Sequence, residues 1–374
     1  MKRTAGFWVI LFSFAILCIT GCGVSPKKAF EVRSVSFSSL PAWKSDDLTD
    51  ALPALIKNCD AMAAKPEWKT FCDGIVRLQG RPSKQIRRFI ESTMTPYAVY
   101  SYGKRDGTFT GYYEASLSGS LTKDDTNQYP IYGIPEDLVA LDTKTLCTAG
   151  SDTGTRIGRV ENGRFLPYLT RSEIEKEALK APVLLWVSDP VDAFILHIQG
   201  SGRVETSNGV YNIGYAGNNG HTFVGIGSIL SADGVLENGK SSMPHIRAWL
   251  KENPEKAKEY MNKNPRYIFF KLSPEGDGPM GALGVPLTPK RSLAVDTRFI
   301  PLGTPLYLDT TDPDGNKVQS LVVAQDVGGA IKGAVRGDYF WGYGEDAFQN
   351  AGRMKSSGRY YILWPKGATP PASF

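Results

Sequence analysis

The residues best suited to chemistry are three aspartates with the glycines and rings around them. The apolar run from Val318 to Gln325 predicts a buried strand that delivers Asp326 to its end, and Gly328-Gly329 lets the backbone turn there. Twelve residues further on, Asp338 precedes Tyr339, Phe340 and Trp341. A carboxyl beside apolar rings loses solvation of its charged form, so its pKa rises and its proton stays available near neutral pH. That is what a general acid requires. The same residues have an ordinary alternative, with Asp326 capping a turn and Asp338 N-capping a helix. Asp296 follows Ser292-Leu293-Ala294-Val295 at another strand end, before Thr297-Arg298, and reads as structural.

Other chemistries find little support. Gln199-Gly200-Ser201-Gly202-Arg203 lacks the third glycine of a nucleotide loop, and a hairpin-like segment from Val204 to Tyr211 follows it instead of a helix. His197 lies in an apolar stretch and reads as a core histidine. With His221 and His245 scattered and no Cys-x-x-Cys, no zinc site is expected, nor any other metal or organic cofactor. There is no Gly-x-Ser-x-Gly elbow and no His-Glu-x-x-His. The chain does carry 7 Trp, 17 Tyr and 17 Phe, several beside glycines in Gly111-Tyr112-Tyr113 and from Tyr339 to Tyr343. Rings in a groove stack on the C–H faces of sugars, whereas Phe269 and Phe270 read as core.

These residues need elements to position them. Leu48, Leu52, Leu55, Ile56 and Cys59 recur at helical spacing, and Ser83 to Thr93 reads as a second helix. The period then changes to strand, at Ala98 to Tyr102 and Thr108 to Leu117, around the turn Lys104-Arg105-Asp106-Gly107. In the middle, Ser172-x-x-Glu175 reads as a capping box opening a helix through Lys180, and Ala193 to Ile198 as a buried strand. Helices resume at Ser242 to Lys251 and Pro254 to Lys263. Short strands return at Ser292 to Val295, Pro305 to Leu308 and Val318 to Gln325, with a turn at Asp312-Pro313-Asp314-Gly315. Two β-rich ends flanking a mixed insert predict one domain from residues 46–115 and 272–374, with residues 116–271 lodged in it. Residues 22–45 read as a tether.

The chain has 374 residues, 41% apolar and 22% charged, enough for about two domains with a sizeable core. Its formal charge is +5. Without Lys2 and Arg3 this is about +3, too little for a nucleic-acid partner. Those two residues precede the apolar run Phe7 to Ile19, about 13 residues, which fits an export signal and is too short for a spanning helix. It ends in Ile19-Thr20-Gly21-Cys22, which resembles the bacterial lipobox, so residues 1–21 would be removed and Cys22 would carry acyl chains. Gly23 follows where a retention signal has Asp. The expected address is therefore the outer membrane of a Gram-negative envelope, facing the periplasm. An ordinary secreted protein with a chance cysteine is the alternative. Cys59, Cys72 and Cys147 remain in an oxidising space; Cys59 and Cys72 could close a short loop, and bridge or free thiols both stay open.

Six motifs then follow in order through nearly all the mature chain. They are Phe109-Thr110-Gly111-Tyr112-Tyr113-Glu114, Ile198 to Gly202, Tyr215 to His221, Asn264 to Lys271, Ala294-Val295-Asp296 through Thr304, and Asp326 to Gly333. Together they resemble the membrane-bound lytic murein transglycosylase A family. The resemblance implies a mainly β protein: a double-psi β-barrel built from both ends of the chain, an inserted second β-rich domain, and a substrate groove between them. It implies cleavage of the β-1,4 bond between N-acetylmuramic acid and N-acetylglucosamine in peptidoglycan, without added water, leaving a 1,6-anhydromuramyl end. One aspartate serves as acid and base. That role is carried to Asp338, with Asp326 as a supporting carboxylate, and the reverse order stays open. Thr110, Gly111, Tyr112, Tyr339, Gln199 and Ser201 are the implied glycan contacts. Ala115 departs from the proline often found there. The implied partners are glycan strands and proteins of wall synthesis or turnover. A water-using muramidase with two aspartates and a non-catalytic glycan-binding lipoprotein are the competing readings.

Overall fold

The computed structural model describes residues 28–143, 154–176, 179–237, 241–274 and 278–371. Cys22, the expected lipidation site, and Cys147 lie outside them. The described residues open with strand β1 (Glu31–Ser34) and helices α1 (Leu48–Met62), α2 (Pro66–Ile75) and α3 (Ser83–Thr93). Asp47 starts α1 by accepting the Thr49 N–H at 3.0 Å, and Pro66 stands in the first turn of α2, where no intrahelical N–H is needed. The stripe Leu48, Leu52, Leu55 and Cys59 is buried as its spacing predicts, while Ile56 is half-buried against the same core. A disulfide joins Cys59 to Cys72 with a Cα separation of 5.4 Å, tying α1 to α2.

The tether reading reaches too far. β1 pairs with β2 (Met94–Tyr100), and Phe30, Leu40 and Trp43 are buried in the main core. These anchors sit singly in irregular backbone and show no period to read.

β3 (Gly107–Ser120) follows, and later come β12 (Ser292–Val295), β13 (Pro305–Thr311), β14 (Lys317–Asp326), β15 (Arg336–Tyr343) and β16 (Lys355–Pro365), with helix α9 (Glu345–Arg353) before the last. Six strands close a ring in the order β3, β15, β12, β14, β13, β16 and back to β3. The long β16 closes it: residues 355–358 pair with β3 and residues 359–362 with β13. A ring leaves no open edge among its members. Two pairings are parallel, β12 with β14 and β15 with β3, and they support the double-psi form as a proposal.

The middle of the chain contains β4 (Tyr129–Tyr132), β5 (Val139–Asp142), β6 (Thr155–Glu161), β7 (Arg164–Pro167), α4 (Arg171–Ile174), β8 (Val183–Val187), α5 (Pro190–Gln199), β9 (Gly202–Thr206) and β10 (Gly209–Asn218). It ends with α6 (Ile226–Ala232), α7 (Met243–Glu252), α8 (Pro254–Asn262) and β11 (Ile268–Pro274). β3 links the two parts. Thr108 to Glu114 pair in the ring, whereas Ala115 to Ser118 pair with β9, which continues through β10 to β11. A second apolar cluster, including Leu117, Phe194, Leu196, Ile213 and Phe270, fills this part and meets Phe348 of α9.

Two readings of the middle are corrected. Ala193 to Ile198 belong to α5, not a strand: Asp189 accepts the N–H groups of Val191 and Asp192, Pro190 occupies the first turn, and Gly200 at φ 79° ends the helix. A continuous apolar run does not separate strand from buried helix, and the Asp-Pro start decides it. The capping box is formed by Thr170 and Glu173, two residues earlier than Ser172 and Glu175, and it opens only the single turn of α4.

Candidate active site

Strand alternation builds the site. On β15, Asp338 lies between Thr110 of β3 and Ala294 of β12, and on the far side of Ala294 the register brings Asp326. The two acids are thus two strand spacings apart at the backbone, roughly 10 Å. The helix-cap alternative for Asp338 is excluded, since the residue is within a strand.

Each carboxyl is held differently. Thr110 Oγ1 donates to Asp338 Oδ1 at 2.5 Å, and Arg336 Nη2 donates to that same hydroxyl at 2.8 Å, fixing it as the donor toward the acid. Among the described residues nothing donates to Asp338 Oδ2. Asp326 has both oxygens engaged: the Ala282 N–H bonds Oδ1 and the Tyr112 hydroxyl bonds Oδ2, each at 3.0 Å. Tyr112 stands on β3, separated from β14 by β15 and β12 in the ring, so its phenol reaches Asp326 only because the sheet curves.

Tyr112, Leu287, Ala294 and Phe340 form a small apolar cluster of their own on this face. Both acids are half-buried against it. Desolvation pushes the Asp326 carboxyl up to about 6 against its hydrogen bonds, and the charge of Asp338 adds to the rise. Desolvation also raises Asp338, outweighing the Thr110 hydrogen bond and the Arg336 charge. Asp296 behaves in the opposite way. Its buried carboxylate accepts from Arg298 at 2.6 Å and from the Gly333 N–H at 2.7 Å, and these bonds outweigh burial to hold it at about 2.

The remaining sequence candidates divide. Thr110 and Tyr112 join the acids. Gln199 and Ser201 stand at the junction of ring and insert, where Gln199 Oε1 accepts the Tyr113 N–H at 3.3 Å and the Ser201 carbonyl accepts the Ala115 N–H at 3.4 Å. Gly111 serves packing instead of a ligand: a Cβ there would lie 2.7 Å from the Trp341 ring and 2.8 Å from the Ala351 backbone. Tyr339 is likewise corrected. It points into the main core, 4% exposed, with its hydroxyl on the Lys290 carbonyl. One step along a strand reverses the face, so the ring adjacent to Asp338 in sequence is on the other side of the sheet. His197 is buried and accepts the Ile268 N–H, as a core histidine does.

Sequence reasoning missed Arg336 and Ala282. Arg336 precedes Asp338 by two, and that spacing on a strand was a usable signal; Ala282 lies in a loop and gave none. Among the described residues no cluster of three or more His, Cys, Asp or Glu could hold a metal, and no helix is long and apolar enough to cross a membrane.

Comparison with known proteins fits this architecture. Residues 108–271 match the MltA specific insert domain and residues 291–364 match the 3D domain. The first match begins at the start of β3, eight residues before the insert boundary read from the sequence. Membrane-bound lytic murein transglycosylase A of Escherichia coli K12 is 32% identical over 295 residues, 76% of this chain and 72% of its own length. The crystal structure of MltA from Neisseria gonorrhoeae, monoclinic form, superposes with a TM-score of 0.81 at 37% identity, covering 92% of this chain and 94% of that one. E. coli MltA with bound chitohexaose gives 0.70 at 25% identity, covering 91% and 96%. The chain belongs to the membrane-bound lytic murein transglycosylase A family.

Proposed function

We propose that the chain is a peptidoglycan lytic transglycosylase that cleaves between N-acetylmuramic acid and N-acetylglucosamine, with Asp338 as its only acid and base. The observation that carries the assignment is the Asp338 Oδ2 atom, which has no donor among the described residues, while both oxygens of Asp326 are bound. A proton on Oδ2 is free to leave. The relatives' name and the chitohexaose held by E. coli MltA support a glycan strand as the substrate.

Protonated Asp338 gives its proton to the glycosidic oxygen as the C–O bond breaks and positive charge develops at the muramyl anomeric carbon. The carboxylate left behind is stabilised by the Thr110 hydroxyl and the Arg336 charge. It then takes the proton of the same sugar's C6 hydroxyl, whose oxygen closes onto the anomeric carbon. Asp338 ends protonated, ready for another cycle. The nucleophile is part of the substrate, and well-oriented intramolecular attack lowers barriers by about 7–11 kcal/mol, so no second carboxylate is needed to activate water. Asp326, ionised above about pH 6, places a negative charge on the rim where the sugar turns positive.

Cys22 would anchor the protein through acyl chains to the outer membrane, a reading supported by the family's membrane-bound description. Cys22→Ala would move it from the membrane to the soluble fraction. The activity itself is tested by mass spectrometry of digested peptidoglycan. Anhydromuramyl ends are expected; reducing muramic acid ends would replace the assignment with a hydrolase, and no released fragments would leave only a binding protein.

A further inference from the structure

The middle of the chain holds a cavity of about 570 Å³, inside the range of small-molecule sites, on the face of α5 that turns away from β3. Its lining includes Phe194, His197, Arg171 and Tyr267. Leu196 and Gln199, on the opposite face of α5, make the contacts toward β9 and β3, so the helix separates the cavity from the aspartates.

Two donors at the cavity have no partner among the described residues. His197 is 7% exposed, and its Nδ1 accepts the Ile268 N–H at 3.1 Å, which places the imidazole proton on Nε2. Burial and the nearby Arg171 charge hold this ring well below the usual histidine range, so it stays a neutral donor. Tyr267 is 4% exposed. Neither the Nε2–H nor the Tyr267 hydroxyl has a partner among the described residues. Both side chains line the cavity and neither atom is sealed from it, so an acceptor on an occupant can bond them. Beneath them the Arg171 guanidinium is 2% exposed, packed 4.9 Å from the Phe194 ring and 5.0 Å from the Tyr267 ring. It donates to the Asn264 and Arg266 carbonyls and pairs with Glu175 at 3.4 Å, and around the cavity Arg171, Lys251 and Lys258 stand against Glu175 and Asp189, leaving positive charge in excess. Donors, positive charge and apolar walls fit a small anion with an apolar body, and a sugar's many hydroxyls fit poorly.

We infer that this cavity binds the carboxylate end of a short peptide with small apolar side chains. The inference rests on the proposed substrate, because muramyl residues of peptidoglycan carry short peptides. The occupant is then a peptide still on the strand or one already released.

Titration calorimetry of the full chain with N-acetyl-D-alanyl-D-alanine tests it. Saturable one-to-one binding is expected, with the C-terminal amide at least about tenfold weaker. Tyr267→Phe, which removes one hydroxyl, should weaken binding about tenfold with melting unchanged. His197→Asn should do the same, because an asparagine oxygen can replace Nδ1 as the acceptor for Ile268. Absence of heat from folded protein, equal affinity for acid and amide, or unchanged affinity in Tyr267→Phe would overturn the site. Competition between the dipeptide and peptide-bearing strands, but not peptide-free strands, assigns the site to strand-borne peptide; saturable binding without competition assigns it to released peptide. A chain that cuts peptide-free glycan yet ignores the dipeptide defeats this inference alone. One that binds the dipeptide and cuts nothing defeats the proposed function alone.

Discussion

Asp296 and the pair Asp326 and Asp338 stand on the same barrel, at strands that are direct neighbours, and they hold their protons in opposite ways. Asp296 is given a guanidinium and a backbone N–H and is pulled to about 2. Asp326 and Asp338 face Tyr112, Leu287, Ala294 and Phe340, and are pushed up. Burial acts on all three; what differs is that Asp296 is bonded directly by a guanidinium, whereas the donors to Asp326 and Asp338 are neutral. A barrel rim can therefore make a structural anion or an acid poised for proton transfer from the same residue type.

Substituting each aspartate breaks the comparison most sharply. Asp338→Asn should lower turnover about a thousandfold or more while glycan binding persists, since it removes the proposed proton donor. Asp296→Asn should leave turnover within a few-fold. Equal losses in the two variants would show that fold integrity, and not proton transfer, is being read.

Asp326→Asn should cost about ten- to a hundredfold and change the pH profile. In the parent protein kcat/KM should fall as pH drops through about 6, where Asp326 becomes neutral. That acidic limb should vanish in the variant, and its persistence would detach Asp326 from the reaction.

Stability separates the settings by sign. The Asp326 carboxyl is raised from 3.8 to about 6, so its contribution is fully present below 3.8 and is lost as pH rises through about 6. Ionisation costs the fold up to about 3 kcal/mol, which Asp326→Asn should partly restore in urea melts near pH 7. Asp296 is lowered from 3.8 to about 2, so its contribution is present above 3.8 and fades as pH falls through about 2. Asp296→Asn should cost about 1 kcal/mol near pH 7, a modest figure because Arg298 is largely exposed.

The smallest effect belongs to Tyr112→Phe. Loss of its hydroxyl removes a hydrogen bond that lowers Asp326, so the acidic limb should move to higher pH by a fraction of a unit. An unmoved limb would mean that the phenol holds no functional proton balance.

Local signals made much of this legible. Ser83 to Thr93 is a helix with those bounds, and Pro254 opens α8 as its first-turn preference requires. The two acids were also visible, Asp326 because a strand end and a glycine turn mark it and Asp338 because a run of rings follows it. What local pattern could not supply was the other side of each contact. Tyr112 meets Asp326 across 214 positions and two intervening strands, a meeting fixed by ring closure. Tyr339 was misplaced by adjacency, although alternation already assigned it to the far face. The α5 run was misread because helix and strand bury the same apolar residues when no polar face interrupts them.

The central claim is that Asp338 shuttles one proton for a sugar that supplies its own nucleophile. Digesting peptidoglycan in heavy-oxygen water and weighing the new muramyl ends tests it most directly. Intramolecular closure predicts ends that carry no label and lack the elements of water, and labelled reducing ends would contradict it.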